Sequence, residues 1–307
     1  MKTRIIMVGG FLGAGKTTLL WECARKITES GKHVGLICTD LSATILQPLK
    51  EKFQDTLVVA PLTVLADPSR LSAILDGGTS GLHRSAAYIF RKQLEEADII
   101  LINKTDMLTH DALEVLMQRT SKEWPLAQVA AISAKTGEGL QKWLDDVMKR
   151  LDSGTHLAEV DYDVYSEGEA VLGWLNASFQ LKGNLVDWDE LLSTLLHSLS
   201  RRFDQIDVAV GHVKLLIEDD NRYSIGNLTG KSDTIRMRGS IGSGNQAKLI
   251  INARVQMAPA ELEYIIREEQ SNSCGDKIRC ETIEFNCLSP GRPNPTYRYD
   301  KVTSREK

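Results

Sequence analysis

The stretch MVGGFLGAGKTTLL, residues 7–20, decides the fold of this chain. It fits the spacing G-x-x-x-x-G-K-[ST] without a gap, from Gly10 through Gly15 and Lys16 to Thr17, between an apolar strand pattern and a helical pattern. Glycines at these positions let successive backbone N–H groups turn inward onto phosphate oxygens, and the following helix adds the positive end of its dipole. The stretch therefore predicts a phosphate-binding loop.

Two side chains of this loop are the candidate catalytic residues. Lys16 is expected to reach the β- and γ-phosphates and to neutralise charge that develops on the oxygen between them, and Thr17 is expected to ligate Mg²⁺. The candidate nucleotide contacts in the loop are Gly10, Gly13, Ala14, Gly15, Lys16, Thr17 and Thr18.

A second motif predicts which base is bound. The sequence NKTD, residues 103–106, ends a buried strand, and the Asp106 carboxylate is placed to accept hydrogen bonds from N1–H and the exocyclic amine of guanine. Adenine has an acceptor at N1 and would leave that carboxylate unpaired. A simple helix cap is the alternative interpretation of this motif. We expect guanine to be the base, with contacts from Asn103, Lys104 and Asp106 and, after the next strand, from Ser133, Ala134 and Lys135.

The bulk composition excludes some classes of partner. The chain has 307 residues, a formal net charge of -4 and an isoelectric point near 5.9, with no long Lys/Arg block, so nucleic acid is not an expected partner. No stretch approaches the ~18 to 20 apolar residues of a membrane span, so no membrane partner is expected. The five cysteines are odd in number and unevenly spread, which favours reduced thiols and a cytoplasmic location.

The pattern of predicted elements divides the chain near residue 151. Apolar strands alternate with helices up to that point, which predicts an α/β domain over residues 1–151 with a mainly parallel sheet covered by helices. Two of its predicted strands are Val34 to Cys38 and Leu57 to Leu65. Residues 152–169 are acidic and predict a solvated linker. Residues 170–307 predict a smaller α+β domain, with a ferredoxin-like sandwich as the candidate arrangement.

These motifs resemble those of one known family. GFLGAGKTTLL, YIFRKQLEEADIILINKTD and ISAKTGEGL, followed by an α+β domain, are similar to the CobW-like (cobalamin-synthesis-protein) P-loop GTPases, relatives of the nickel-enzyme accessory GTPases for urease and hydrogenase. The resemblance implies a metallochaperone GTPase, or one that assists cobalamin and corrinoid enzymes. It implies GTP or GDP with Mg²⁺ as cofactors, a transition metal not yet assigned to residues, and a client metalloprotein or corrinoid protein as partner.

The chain departs from the family in one block. Between Gly31 and Asp67 it has neither a C-x-C-C motif nor an acidic-x-x-Gly at a strand end, so the metal cysteines, the Walker B carboxylate and the switch residues have no counterpart. Asp40 is retained as a candidate Mg²⁺ ligand, whereas Asp67 better fits a cap of the turn before Pro68. Three explanations stay open: a member that binds GTP without turnover, slow hydrolysis with Asp40, or an internal segment missing from the sequence.

Three function classes therefore remain. The first is a GTPase, a hydrolase that forms GDP and phosphate; the second is a GTP-gated adaptor without turnover. The third, a P-loop kinase acting on a small molecule, is disfavoured because NKTD has no role there.

The cysteines near the C-terminus are a separate candidate metal site. Cys274, Cys280 and Cys287 lie close together in sequence, but their spacing matches no C-x-x-C pattern. The odd separation of Cys280 and Cys287 predicts that they point to opposite faces of a strand. Partly buried thiols are therefore favoured over a metal site.

Overall fold

The structure is a computed structural model that describes residues 2–36, 43–79, 83–219, 221–230, 235–291 and 301–302. The described residues form two compact units. One contains those up to 79, from 87 to 162 and 301–302, and the other contains 83–86 and those from 163 to 291. The predicted domain limits of 1–151, 152–169 and 170–307 stay a prediction.

The first part of the chain alternates strands and helices, as the sequence predicts. Its elements are β1 (Thr3–Ile5), β2 (Val8–Gly10), α1 (Lys16–Glu29), α2 (Ala43–Lys52), β3 (Leu57–Val59), β4 (Thr63–Ala66), α3 (Pro68–Leu75), α4 (Arg84–Glu96), β5 (Ile99–Ile102), α5 (His110–Glu123), β6 (Gln128–Ala131) and α6 (Leu140–Lys149).

The central sheet of this unit is parallel throughout its described strands. Its order is β2-β4-β5-β6, and β1 pairs in parallel with β3. Every residue of β4 and β5 is buried, because helices cover both faces of such a sheet. The prediction of an α/β domain with a parallel sheet is confirmed. The loops after β2, β4, β5 and β6 consequently leave the sheet at the same edge.

Two predicted strands differ from the observed elements. The run Leu57 to Leu65 divides into β3 and β4, and Pro61 lies between them. Proline has no N–H to donate to a β-sheet hydrogen bond, so it interrupts the strand. The described residues Val34–Leu36 of the other predicted strand have no strand structure, while Cys38 and Asp40 lie outside the described residues.

The segment predicted as a solvated linker is partly buried at its start. Asp98, a buried carboxylate, accepts hydrogen bonds from the backbone N–H of Gly154 (2.6 Å) and Thr155 (3.0 Å) and from the Thr155 hydroxyl (2.8 Å). It also accepts one from the Leu62 N–H (2.7 Å). Ser153 is buried as well. Residues 153–155 are therefore held by hydrogen bonds within the first unit, with Ser153 and Gly154 buried and Thr155 exposed.

The second unit is built on an antiparallel sheet. Its elements are α7 (Tyr162–Ala170), β7 (Gly173–Asp187), α8 (Trp188–Gln205), β8 (Val210–Glu218), β9 (Tyr223–Leu228), β10 (Arg236–Gly239), β11 (Ser243–Val255), α9 (Pro259–Cys274) and β12 (Ile278–Leu288). The strand order is β10-β9-β8-β11-β7-β12. Strands β12-β7-β11-β8 with α8 and α9 follow the ferredoxin-like β-α-β-β-α-β pattern, and β9 and β10 extend its edge.

Helices α8 and α9 supply one side of the core of this unit. The leucines of α8 recur at helical spacing and are buried, as are alternate residues of β7, and Asp187 caps α8 by accepting from the N–H groups of Asp189 and Glu190. The buried leucines of α8 are Leu191, Leu192, Leu195, Leu196 and Leu199.

The prediction for the strand cysteines is wrong. Strand β12 has a bulge between Thr282 and Glu284, which adds one residue and reverses the alternation beyond it. Cys280 pairs with Leu181 and Cys287 pairs with Leu175, and both leucines are buried in the core. The two thiols therefore share one face of the strand.

Candidate functional site

The loop after β2 has the backbone geometry that phosphate binding requires. Gly10 and Gly15 have positive φ angles of 128° and 99°, which favour glycine. A Cβ atom at Gly10 would collide with the carbonyl oxygen of Leu65, and one at Gly15 would collide with the side-chain amide of Asn103. Both glycines are therefore fixed by close approach to neighbouring strand ends.

Lys16 and Thr17 begin helix α1 at the end of this loop. The Lys16 Nζ atom donates hydrogen bonds to the carbonyl oxygens of Gly10 (2.5 Å) and Phe11 (3.2 Å), so the ammonium lies over the loop. Thr17 is exposed, and the first turn of α1 contains no acidic residue. The positive end of the helix dipole is thus not offset by a nearby carboxylate of its own first turn.

Asn103 joins the phosphate loop to the loop after β6. Its Nδ2 atom donates to the carbonyl oxygen of Ala14 (2.8 Å), and its Oδ1 atom accepts from the N–H of Ala134 (2.9 Å). The side chain is 2% exposed, so both polar ends are satisfied inside the protein. One amide thereby fixes the distance between the predicted phosphate and base contacts.

The predicted base-binding residues converge on the Asp106 carboxylate. Its Oδ1 atom accepts from the Ser133 hydroxyl (2.7 Å), and Ser133 Oγ in turn accepts from the Thr136 N–H (3.2 Å). The Lys135 Nζ atom lies 3.9 Å from Asp106 Oδ2. The Ser133 hydroxyl therefore orients the Asp106 carboxylate, and the exposed Lys135 ammonium lies near its other oxygen.

Lys104 and Asp67 form a contact that sequence analysis missed. Lys104 has a left-handed backbone (φ 62°), and its Nζ atom lies 2.6 Å from Asp67 Oδ2. Asp67 Oδ1 accepts from the N–H groups of Ser69 (3.0 Å) and Arg70 (3.3 Å), so Asp67 has the predicted capping role, here at the start of helix α3. Asp67 and Lys104 each follow a predicted strand, but the sequence alone does not show that these strands, β4 and β5, are neighbours.

Competing effects act on the pKa of Asp67. Burial raises the pKa of its carboxyl group, but the charge and hydrogen bond of Lys104, together with the donors of Ser69 and Arg70, outweigh burial and hold the pKa below its ordinary value. Both oxygens of this carboxylate are engaged by protein groups.

Phe11, in the predicted phosphate loop, forms a cluster with Phe90 and Arg70. The Phe11 ring is buried, and its centroid lies 5.6 Å from that of Phe90. The guanidinium carbon of Arg70, a buried residue, also lies 5.6 Å from the Phe11 centroid. Sequence analysis did not identify this cluster, because nothing in the spacing of the three residues connects them.

The predicted site residues thus come together with one exception. The loops after β2, β5 and β6 place residues 10–18, 103–106 and 133–135 at one edge of the sheet. Asp40 lies outside the described residues.

The described residues contain no group of three or more His, Cys, Asp or Glu arranged to hold a metal ion. In the same part of the chain, no helix has the length and apolar character to cross a membrane.

A glycine loop between a strand and a helix, joined at the same sheet edge to an Asn-Lys-x-Asp loop, defines a P-loop nucleotide-binding domain. A family model described as the CobW/HypB/UreG nucleotide-binding domain matches residues 33–131, which are 99 of the 307 residues. Over that segment the chain is similar to the CobW/HypB/UreG family, and the match confirms the predicted resemblance to CobW-like P-loop GTPases. The phosphate loop precedes the matched segment, so its assignment rests on its own motif and geometry.

Three of the solved structures that match are two HypB proteins and a GTPase. The hydrogenase maturation factor HypB from Archaeoglobus fulgidus is 17% identical, with a TM-score of 0.34, over 49% of this chain and 91% of its own. Zn(II)-bound YjiA GTPase from E. coli is 14% identical, with a TM-score of 0.32, over 87% and 99%. HypB from Helicobacter pylori in complex with nickel is 15% identical, with a TM-score of 0.29, over 48% and 86%.

At these TM-scores, the structural similarities carry no argument about the function of this chain. No curated protein sequence matches it. The functional argument therefore rests on the family match and on the geometry of the site.

Proposed function

We propose that this chain binds GTP and GDP with Mg²⁺, and that nucleotide occupancy controls its action on a client metalloprotein or corrinoid protein. The family suggests a GTP-binding, metallochaperone-like protein. One observation carries the nucleotide part of the proposal: Asn103 binds both Ala14 in the phosphate loop and Ala134 in the predicted base loop. A purely structural asparagine would not need to join the two loops that carry these motifs.

The residues present fit a guanine nucleotide. Backbone N–H groups of residues 13–17 and the N-terminus of α1 would hold its phosphates. Lys16, which now donates to Gly10 and Phe11, would move its donors onto the phosphate oxygens, and Thr17 would hold Mg²⁺ with its exposed hydroxyl. A bound Mg²⁺ would supply charge neutralisation for the phosphates.

Asp106 offers a sharp test of the base assignment. Its carboxylate accepts from the two donors of guanine, N1–H and the 2-amino group, whereas xanthine presents N1–H and a carbonyl oxygen. Asp106→Asn supplies one acceptor and one donor, so it should lower affinity for GTP and raise affinity for xanthosine triphosphate. Each change should be about five-fold or more, since a mispaired buried polar group costs about 1 to 3 kcal/mol.

The matched control is Glu138→Gln, an exposed residue in the same loop region. It should leave both affinities unchanged. If Asp106→Asn binds GTP and xanthosine triphosphate with the same affinities as the wild type does, the base assignment is contradicted. Lys16→Ala should abolish binding of either nucleotide, and retained binding would contradict the phosphate-loop assignment.

A GTP-gated adaptor is the second candidate function, and one observation favours it. Asp67 is the described carboxylate that follows the strand beside β2, and its two oxygens are engaged by the α3 cap and by Lys104. It is therefore not poised to replace a Walker B carboxylate. Hydrolysis would need another carboxylate, for which the sequence offers Asp40.

Hydrolysis and gating are separated by measuring binding and phosphate release on the same sample. The purified protein is mixed in excess with GTP and Mg²⁺, so that each GTP can be hydrolysed only once, and the release of phosphate is measured over time. Release that is lost in Asp40→Asn while GTP affinity is kept supports the GTPase, whereas tight binding without release supports the adaptor. Absence of GTP binding would contradict both.

The client is proposed from the family alone. The described residues do not supply a three-ligand metal site, so we derive no metal-transfer step from them. Co-purification with metalloproteins in the presence of GTP, but not GDP, is the corresponding test.

A further inference from the structure

Residues 153–156, which we call the strap, lie in the segment between α6 and α7. Two side chains of helix α2 bind the strap backbone. The Lys50 Nζ atom donates to the carbonyl oxygen of Ser153 at 2.5 Å, and the Gln47 Nε2 atom donates to the carbonyl oxygen of Gly154 at 3.1 Å. The strap and these partners belong to the first unit, and the chain continues from the strap to the second unit.

The hydroxyl group of Thr155 lies between two other polar side chains. Its oxygen is 2.8 Å from Oδ1 of the buried Asp98 and 2.9 Å from Nδ1 of the half-buried His156. The second ring nitrogen, His156 Nε2, is 2.8 Å from the carbonyl oxygen of Ala97. A carbonyl oxygen can only accept, so this contact is a hydrogen bond when Nε2 carries a proton. A hydroxyl group has one proton, so Thr155 can donate to Asp98 or to a bare Nδ1, but not to both.

The protonation state of His156 therefore decides where the Thr155 proton is needed. In a neutral ring with its proton on Nε2, the bare Nδ1 atom competes with Asp98 for the hydroxyl proton. In a doubly protonated ring, Nδ1–H donates to the Thr155 oxygen, and the hydroxyl proton stays with Asp98. All three contacts are then hydrogen bonds, and they connect a cation to a carboxylate, which strengthens them.

We propose that the strap is a proton-sensitive latch, in which uptake of a second proton by His156 tightens the attachment of the strap to Asp98. An ordinary histidine titrates near about pH 6.5, so the added attachment is present below that pH and is lost as the pH rises above it. Loss of the attachment would lengthen the unattached segment before α7. The latch lies within the first unit, and its chemistry does not depend on the proposed nucleotide binding.

His156 is the group in this region that titrates near neutral pH. The charged side chains closest in sequence to the contacting residues are Lys50 and Glu51 of α2, Lys92, Glu95 and Glu96 of α4, Asp98, Arg150 and Asp152. Glu95 is paired with Lys92, and Asp152 is paired with Arg150. Carboxyl groups ordinarily titrate below the range of histidine, and lysine and arginine titrate above it.

The experiment measures hydrogen–deuterium exchange of the full chain at about pH 5.5 and about pH 8, on either side of the histidine range. The reporters are the N–H groups of Gly154 and Thr155, which donate to Asp98 at 2.6 Å and 3.0 Å. Each rate is compared with the intrinsic exchange rate at the same pH, which gives a protection factor. We expect protection to be about two- to ten-fold greater at the lower pH, the effect of one hydrogen bond of ordinary strength.

Four variants identify the groups that carry the effect. His156→Gln removes the titrating ring and should abolish the difference in protection between the two pH values. Thr155→Val removes the hydroxyl group but keeps the backbone N–H, so it should abolish the difference as well. Thr155→Ser keeps a hydroxyl group and should retain the difference. The matched control is His110→Gln, an exposed histidine at the start of α5, which should behave as the wild type does.

Three outcomes would overturn the proposal. The first is equal protection of the wild-type strap at both pH values, a result that needs no variant to fold. The second is a difference that persists in His156→Gln, because another group then causes it. The third is a difference that persists in Thr155→Val, because the hydroxyl group then does not couple the ring to Asp98.

Discussion

Lys104 and Asp67 form an ion pair across the ends of two neighbouring parallel strands, with 2.6 Å between Lys104 Nζ and Asp67 Oδ2. Because Asp67 also caps α3, one carboxylate orders both the start of a helix and the second residue of the predicted base loop. Asp67→Asn keeps a capping side chain but removes the charge. We expect it to lower the free energy of unfolding by about 1 to 2 kcal/mol at neutral pH, measured by urea denaturation.

The same pair predicts a pH dependence. The folded-state pKa of Asp67 is lower than its unfolded value of about 3.9, so the unfolded chain binds more protons between the two pKa values. The stabilisation is therefore present above about pH 4 and is lost as the pH falls through the folded pKa. The difference in unfolding free energy between wild type and Asp67→Asn should shrink over that acid range. A difference that stays constant would contradict the ion-pair assignment.

Asn103→Ala should destabilise the first unit and weaken nucleotide binding together. It removes two buried hydrogen bonds and leaves the Ala134 N–H and the Ala14 carbonyl without that partner, so we expect a loss of about 2 to 4 kcal/mol. Asn103→Asp keeps the acceptor for Ala134 but not the donor to Ala14, and its unpaired charge is buried. Nucleotide affinity and the thermal midpoint, measured on each variant, should both fall. Unchanged affinity in Asn103→Ala would show that the bridge does not position the loops.

Asp98→Asn tests the attachment of residues 153–155. The carboxylate accepts from four donors, two on each oxygen, and an asparagine must turn an NH₂ group toward one donor pair. We expect a loss of about 2 to 4 kcal/mol and faster proteolysis after residue 152. Asp55→Asn, an exposed position, is the matched control and should change stability by less than about 0.5 kcal/mol. Equal effects of the two substitutions would contradict the burial argument.

The contact between Arg70 and the Phe11 ring should give a measurable coupling energy. We expect a double-mutant cycle with Arg70→Met and Phe11→Leu to yield about 0.5 to 2 kcal/mol, because the cation and the ring are both buried. The cycle of Arg70→Met with Phe90→Leu should give a smaller coupling energy, since Phe90 contacts the Phe11 ring and its coupling to Arg70 is indirect. Additive effects of Arg70→Met and Phe11→Leu on stability would contradict the contact.

Local motifs and periodic patterns predicted most of the elements and the loops that carry the site. The phosphate loop and NKTD are each a continuous stretch of sequence, so the chemistry of each can be predicted without a structure. The ion pair of Lys104 with Asp67 depends on which strands are neighbours, and sequence alone leaves that order open. The bulge in β12 inserts one residue without any glycine or proline to mark it, so the face of Cys287 was predicted wrongly. Helix α3 was also missed, although Asp67 and Pro68 are a good helix start.

Asn103 also constrains the order in which the pocket can form. Its two hydrogen bonds join residues that are 89 and 31 positions apart in the chain, so neither can be made by local folding. During synthesis, the phosphate loop is complete long before Ala134 leaves the ribosome. A nascent chain therefore lacks the proposed nucleotide pocket until strand β6 has joined the sheet, so any stabilisation by nucleotide would come only at the end of domain assembly.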